Sequence, residues 1–202
     1  MMDQAAYDSL TRLPNRFLLQ DQIALFVGGG KRHKVKVAIL LIDLDDLKLI
    51  NESLGYRVGD TLLQMVARRL ENCVRESDML ARLGGDEFVI VLSNIQDLDE
   101  IISVIERCRQ ALNEVFKIGA QEISMTSGIG VSVFPTDGKD VNTLLKNADS
   151  AMRVAKRKGI NGFSFYKPPS KAEAAALKKM LKMGASPLQK KSNNVIPFRL
   201  KD

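Results

Sequence analysis

Apolar residues along this chain recur at two spacings, one helical and one strand-like, and the two alternate from end to end. From Asn15 to Phe26 the spacing is helical, with Phe17, Leu18, Ile23 and Phe26 on or near one face. Gly28, Gly29 and Gly30 are predicted to stop that helix. Val35 to Leu44 is rich in Val, Ile and Leu, and its length suits a buried strand. Gly59 to Cys73 returns to helix, with Leu62, Val66 and Leu70 one turn apart. Met79 to Leu83 and Phe88 to Leu92 are short apolar runs separated by GGDE, the pattern of a hairpin. The spacing then predicts a long amphipathic helix over Asp97 to Phe116 and a strand around Ile123 to Phe134. A helix over Val141 to Lys158, ended by Gly159, and a short strand at Phe163 to Tyr166 complete the pattern. The order α, β, α, β-hairpin, α, β, α, β predicts an α+β domain with one central mixed sheet flanked by helices.

Charge divides the chain at the end of this pattern. Residues 167–202 carry nine basic and two acidic side chains, leaving 21 basic and 22 acidic for residues 1–166. The net charge of +6 therefore belongs to a basic, weakly ordered C-terminal tail, in which Ala172 to Met183 is predicted to form a short helix. The folded part, 1–166, lacks the basic stripe of a nucleic-acid-binding face. The longest apolar run, Val37 to Ile42, is far short of the roughly 20 residues of a membrane span. The N-terminus, MMDQAAYDSL, has no secretion-signal pattern. Cys73 and Cys108 have no CxxC partner and read as free thiols of a reducing compartment, which makes the expected location cytoplasmic.

Two acidic clusters carry the candidate chemistry. Asp43-Leu44-Asp45-Asp46 lies at the exit of the buried strand, where a sheet edge meets loops. Hard cations such as Mg²⁺ favour one or two such carboxylates completed by substrate phosphates. Gly84-Gly85-Asp86-Glu87 lies at the hairpin turn, where paired glycines let a bulky ligand approach the main chain. Either cluster alone is what a solvated turn looks like. If strand and hairpin are sheet neighbours, Asp43 and Asp86 converge on metal ions bridging phosphates, as nucleotidyl transfer requires. Gly28-Gly29-Gly30-Lys31 lacks the spacing of a phosphate-binding P-loop, and His33 stands alone in a basic loop.

The stretch Arg82-Leu83-Gly84-Gly85-Asp86-Glu87-Phe88 resembles the signature of the GGDEF family, the diguanylate cyclases. Asp8-Ser9-Leu10-Thr11-Arg12-Leu13-Pro14-Asn15-Arg16 is similar to the family's DxLTxLxNR opening. Asp43 to Asn51 is similar to its DxDxFKxxN segment, and Gly55-Tyr56-Arg57-Val58-Gly59-Asp60 to its GHxxGD segment. Ala148-Asp149-Ser150-Ala151-Met152, with Ala155-Lys156 and Gly159-Ile160-Asn161, resembles its late ADxAxxxAKxxGRN segment. The resemblance runs from Asp8 to Tyr166 and implies a palm-like nucleotidyl-cyclase fold with the signature on a hairpin turn.

It also implies roles. Asp43, Asp86 and the Leu44 carbonyl would bind two Mg²⁺ or Mn²⁺ ions per active site, and Glu87 would lie beside the reacting ribose hydroxyl. Asn51 and Asp60 would bind guanine, whose N1–H and amine a carboxylate accepts and adenine lacks. Lys48 and Lys156, with the main-chain amides near Asp46 and Leu47, would face the nucleotide phosphates, and Gly84 and Gly85 would lie against the substrate. Two such domains, each holding GTP, would meet as a homodimer, at least transiently, and release cyclic di-GMP and two pyrophosphates. Arg75 and Asp78 match the RxxD pattern of members inhibited by their own product, with Arg107 or Arg109 as candidates for a third residue. The DxLT segment stands near the chain's start, so a sensory or dimerising region is expected outside this chain.

Leu47, Tyr56, Arg153 and Ile160 depart from the family pattern, which has Phe, His, Tyr and Arg there. The last departure removes a phosphate contact worth roughly 1.5–3 kcal/mol, unless Arg153, Arg157 or Lys158 replaces it. It keeps open a second reading, a module that binds GTP or cyclic di-GMP without turning it over. Ile160→Arg is therefore expected to lower the KM for GTP by about tenfold. An unchanged KM would mean that the contact is already supplied elsewhere.

Overall fold

The computed structural model describes residues 6–33, 35–159 and 161–167, all within the compact unit Met1–Pro168. Ile160 and the tail beyond Lys167, including its expected helix, lie outside the described residues. The elements are α1 (Arg16–His33), β1 (Lys36–Leu44), α2 (Leu47–Leu54), α3 (Tyr56–Glu71), β2 (Met79–Gly84), β3 (Glu87–Ile95) and α4 (Leu98–Asn113). They continue with β4 (Phe116–Ile118), β5 (Gln121–Ile123), β6 (Ser127–Phe134), α5 (Val141–Lys158) and β7 (Phe163–Phe165).

Five strands form one sheet in the order β2-β3-β1-β6-β7, antiparallel except for the β6–β7 pair. The sheet is mixed and the fold α+β, as the periodicity predicts. Alternation along β1 decides the layers. Ala38, Leu40, Ile42 and Leu44 pack into one core with α3 and α4, and Val37, Ile39 and Leu41 pack into a second core with α1 and α5. Both faces are covered, which is why β1 reads as a continuous apolar run. Among the described residues no helix is long and apolar enough to cross a membrane.

Four expectations need correction. The α1 helix runs through Gly28, Gly29 and Gly30 to His33. Each helix-interior glycine costs about 1 kcal/mol relative to Ala, roughly 3 kcal/mol for the three, and packing offsets it: a Cβ on Gly30 would lie 3.0 Å from the Val35 carbonyl and 3.1 Å from the Phe134 ring. Phe17 is exposed, and the buried face of α1 is Leu19, Ile23 and Val27, at i, i+4 and i+8. The segment read as one strand from Ile123 to Phe134 is two: β5 pairs with β4 in a separate two-stranded sheet, while β6 joins the main one. Phe116, expected at the end of the long amphipathic helix, starts β4, because α4 stops at Asn113. The short helix α2, between β1 and α3, was not foreseen.

Helix α5 lies on β6 with almost nothing between them. The β6 positions facing it are Gly128, Gly130 and Ser132. A Cβ on Gly130 would lie 2.1 Å from the Ala148 carbonyl oxygen and 2.2 Å from the Met152 nitrogen. Ser132 donates its hydroxyl to the Leu144 carbonyl at 2.8 Å. Gly130→Ala is expected to destabilise the fold by about 3 kcal/mol, the upper range for overpacking, read as a lowered urea midpoint. A midpoint within experimental error of the parent would show that α5 moves aside freely.

Candidate active site

The site is built where β1 runs out of core. Asp43 is the first polar residue after Val37–Ile42, and its odd-numbered register puts it on the α5 face of the sheet. In the β1–β3 ladder Asp43 is paired with Glu87, and the Leu44 amide donates to the Asp86 carbonyl at 3.1 Å. The strand exit and the glycine turn are thereby stitched together. Asp43, Leu44, Asp45, Asp46, Leu47, Lys48, Asp86 and Lys156 all line one cleft of about 550 Å³. Glu87 lies on the other side of Asp43, in a second cleft of about 440 Å³ shared with Asp149, Arg153, Lys156 and Arg157 of α5.

The turn is tight. Gly84 pairs with Glu87 across it, and Gly84 and Gly85 have φ of 130° and 54°, angles that favour glycine. Arg82 holds it from beneath. Its Nε and Nη2 donate to the Gly85 carbonyl at 3.2 and 2.7 Å, and its Nη1 donates to Asp8 Oδ1 at 2.9 Å. The Arg82 side chain is only 8% exposed, so Asp8 is its counter-ion rather than a decorative surface charge. Burial acts to raise the Asp8 carboxyl, but hydrogen bonds from Thr11 and the Arg82 guanidinium outweigh it and hold the group below its ordinary value.

On the other side, Asp46 takes φ of 60° and launches α2, whose first turn leaves amides at Leu47, Lys48 and Leu49 without intrahelical acceptors. Thr126 holds the bend, donating its hydroxyl to Asp45 at 2.6 Å and accepting the Asp45 amide at 2.9 Å. Lys48 is largely exposed and lies 3.7 Å from Glu52.

Lys156 reaches in from α5 and pairs with both Asp43 and Asp45, the latter at 2.9 Å. Gly128 makes room for its stem, since a Cβ there would fall 2.6 Å from Lys156 Cγ. Burial raises the Asp43 carboxyl, and the charges of Asp86 and Asp45 add to that, so Lys156 only partly compensates. Burial disfavours the Lys156 ammonium, yet its bonds to Asp43 and Asp45 raise it above the ordinary lysine value. Glu87 is likewise raised, first by burial and then by the charge of Asp43. One ammonium among Asp43, Asp45 and Asp86 leaves surplus negative charge.

That surplus, presented by hard oxygen donors, fits a divalent cation. Among the described residues no three Asp, Glu, His or Cys side chains form a metal cage by themselves. Two carboxylates and a main-chain carbonyl suit an ion whose remaining positions are filled by phosphate oxygens and water.

Asn51 and Asp60 do not line either cleft. Asn51 packs against Gly59: its Oδ1 sits 1.8 Å from where a Gly59 Cβ would be and has no hydrogen-bond partner among the described residues. Asp60, the next residue, is exposed. Arg75 and Asp78 are elsewhere, in the turn between α3 and β2. Of the two candidates beside them, Arg107 reaches that turn, donating to the Cys73 carbonyl at 3.2 and 2.9 Å. Arg109 turns to Glu106 at 2.7 Å.

The family model for the GGDEF domain of diguanylate cyclases matches residues 5–162. The chain belongs to the GGDEF family. It is 36% identical over 174 residues to the bifunctional diguanylate cyclase/cyclic di-GMP phosphodiesterase MucR of Pseudomonas aeruginosa, covering 86% of this chain and 25% of MucR. It is 34% identical over 155 residues to the diguanylate cyclase TpbB of the same organism, covering 76% of this chain and 36% of TpbB. The crystal structure of the TpbB GGDEF domain superposes with a TM-score of 0.76 at 30% identity, covering 79% of this chain and 99% of that domain. The GGDEF chain thus spans a quarter to about a third of these curated relatives' length.

Sequence reasoning missed the supports of this GGDEF site. Arg82, Asp45 and Asp149 were visible as motif letters but not as a buried staple, a partner of Lys156 or a cleft wall, and nothing in the pattern distinguished Gly128 from other strand residues. In the folded state Asp8 sits below its unfolded pKa of roughly 3.9, so its stabilisation is complete above that pH and is lost as pH falls through the folded value. Asp8→Asn is expected to cost about 2 kcal/mol at pH 7, with the two urea midpoints drawing together below about pH 4. A gap that stays constant down to acid would rule out the charged pair as its cause.

Proposed function

We propose that this GGDEF domain is a diguanylate cyclase: it joins two GTP molecules into cyclic di-GMP and two pyrophosphates, working in the cytoplasm as at least a transient homodimer. The observation that carries this reading is the meeting of Asp43, Asp86 and Glu87 at one end of the sheet, beside the amide-rich start of α2. A carboxylate pair for the cations, donors for phosphates and a separate raised carboxyl are the parts that nucleotidyl transfer needs.

In the proposed complex Asp43, Asp86 and the Leu44 carbonyl hold Mg²⁺ or Mn²⁺, two ions per site, which supply electrostatic stabilisation of the phosphoryl oxygens. The main-chain amides at Asp46 and Leu47, those of Gly84 and Gly85, and the Lys48 and Lys156 ammonium groups orient the phosphates. Asp60 accepts from the guanine N1–H and amine and selects GTP over ATP, and Asn51 bonds the same base. Glu87 adjoins the 3′-hydroxyl. Its raised pKa makes it a better proton acceptor than an ordinary exposed carboxylate. Each hydroxyl attacks the α-phosphate held by the facing domain, so one domain cannot finish the reaction. Orientation of the two nucleotides provides much of the acceleration. Arg75 and Asp78 form the site at which product restrains the enzyme.

The test is to incubate the chain with GTP and Mg²⁺ or Mn²⁺ across a dilution series and measure cyclic di-GMP and pyrophosphate. Both products are expected, with a rate per protomer that rises with protein concentration. Asp43→Asn and Glu87→Gln are expected to lose on the order of 100-fold or more. Nucleotide binding without either product, at any concentration or with either metal, would replace the cyclase reading with that of a sensor module.

A further inference from the structure

The turn between α3 and β2 has a rigid main chain and one tethered cation. Asp78 does not face outward freely: its Oδ2 accepts the Arg75 amide and its Oδ1 accepts the Ser93 amide, both at 3.2 Å. Ser93 also donates its hydroxyl to the Ser77 carbonyl at 2.9 Å, and Arg107 grips the Cys73 carbonyl from α4. These bonds fix the loop to β3 and α4. The Arg75 side chain is 66% exposed, and its charged partner among the described residues is Glu100, Nη1 to Oε2 at 3.3 Å.

Glu100 is itself immobilised. Asp97 caps α4 by accepting the Glu100 amide at 3.1 Å, and Glu100 Oε1 reaches back to accept the Gln96 amide at 2.9 Å. This reciprocal box satisfies two main-chain donors at the helix start. One carboxylate oxygen therefore anchors the helix while the other holds Arg75. The carboxylate cannot swing away from an approaching anion without surrendering its bond to Gln96.

We propose that Glu100 is a built-in competitor for the product: a fixed anion that occupies Arg75 and sets the cyclic di-GMP concentration at which the Arg75–Asp78 site fills. This rests on the reading of that site as the product site. A cyclic di-GMP phosphate approaching Arg75 must share the guanidinium with Glu100 and lie beside a charge of its own sign. Both effects weaken product binding, and the capping role keeps the competitor in place. Strength at the brake is thus set from α4, not only from the RxxD turn.

Glu100→Gln separates the two roles, because Gln also reaches back to the Gln96 amide but carries no charge. Calorimetric titration of cyclic di-GMP into the full chain is expected to give about fivefold tighter binding for Glu100→Gln than for the parent. The thermal melting temperature should be unchanged within about 2 °C, and Arg75→Ala should lose binding. If Arg75→Ala loses binding while Glu100→Gln stays within twofold of the parent or weakens, Glu100 is no competitor and the product site stands. If the parent does not bind cyclic di-GMP, or Arg75→Ala binds it equally well, the product site itself fails and the inference with it.

Discussion

Strand β1 is hydrogen-bonded along both edges and covered by side-chain packing on both faces, and the acidic cleft exists because that strand leaves the core at Asp43. A central strand in such surroundings tolerates no polar side chain until it emerges. Its neighbours are then fixed by ladder register rather than by loop geometry. Asp43 stands opposite Glu87 on one side and Gly128 on the other, so three strands deliver their ends to one place. Precision of the site is inherited from the most constrained part of the fold.

Electrostatics at that place run against ordinary stability. Asp43 and Glu87 are partly withdrawn from water, close to further carboxylates, and both are raised as a result. Lys156 offsets part of the repulsion but serves Asp43 and Asp45 together. An unbalanced acidic cluster of this kind is what a cation and a polyphosphate relieve jointly, one neutralising the carboxylates and the other the ammonium. The Arg82 staple shows the opposite strategy: a buried charge fully matched by Asp8 and a carbonyl, used to hold the turn still.

Much of this was legible in the sequence because local and global signals agree. The β1 run, the GGDE hairpin and the α5 helix carry their boundaries in apolar periodicity, glycines and caps, and the two acidic clusters lie at their ends. What was not legible has physical reasons. Three consecutive glycines look like a helix stop, yet packing of Gly30 against Phe134 and Val35 outweighs propensity. Phe17 carries an apolar side chain on the solvent face, which periodicity counts as core. The burial of Arg82, the sharing of Lys156 between Asp43 and Asp45, and the tether from Arg75 to Glu100 are contacts between residues far apart in the chain. They arise from tertiary placement alone.

The glycine strip beneath α5 has one further consequence. Where Gly130 meets the Ala148 carbonyl and the Met152 nitrogen, no side chain lies between helix and sheet to repack, so a larger residue at that point must displace the helix itself. The reach of the α5 lysine to the strand ends is consequently a property of the backbone. A substitution on the outward face of α5 thus alters what the helix displays without altering how far it stands from the carboxylates.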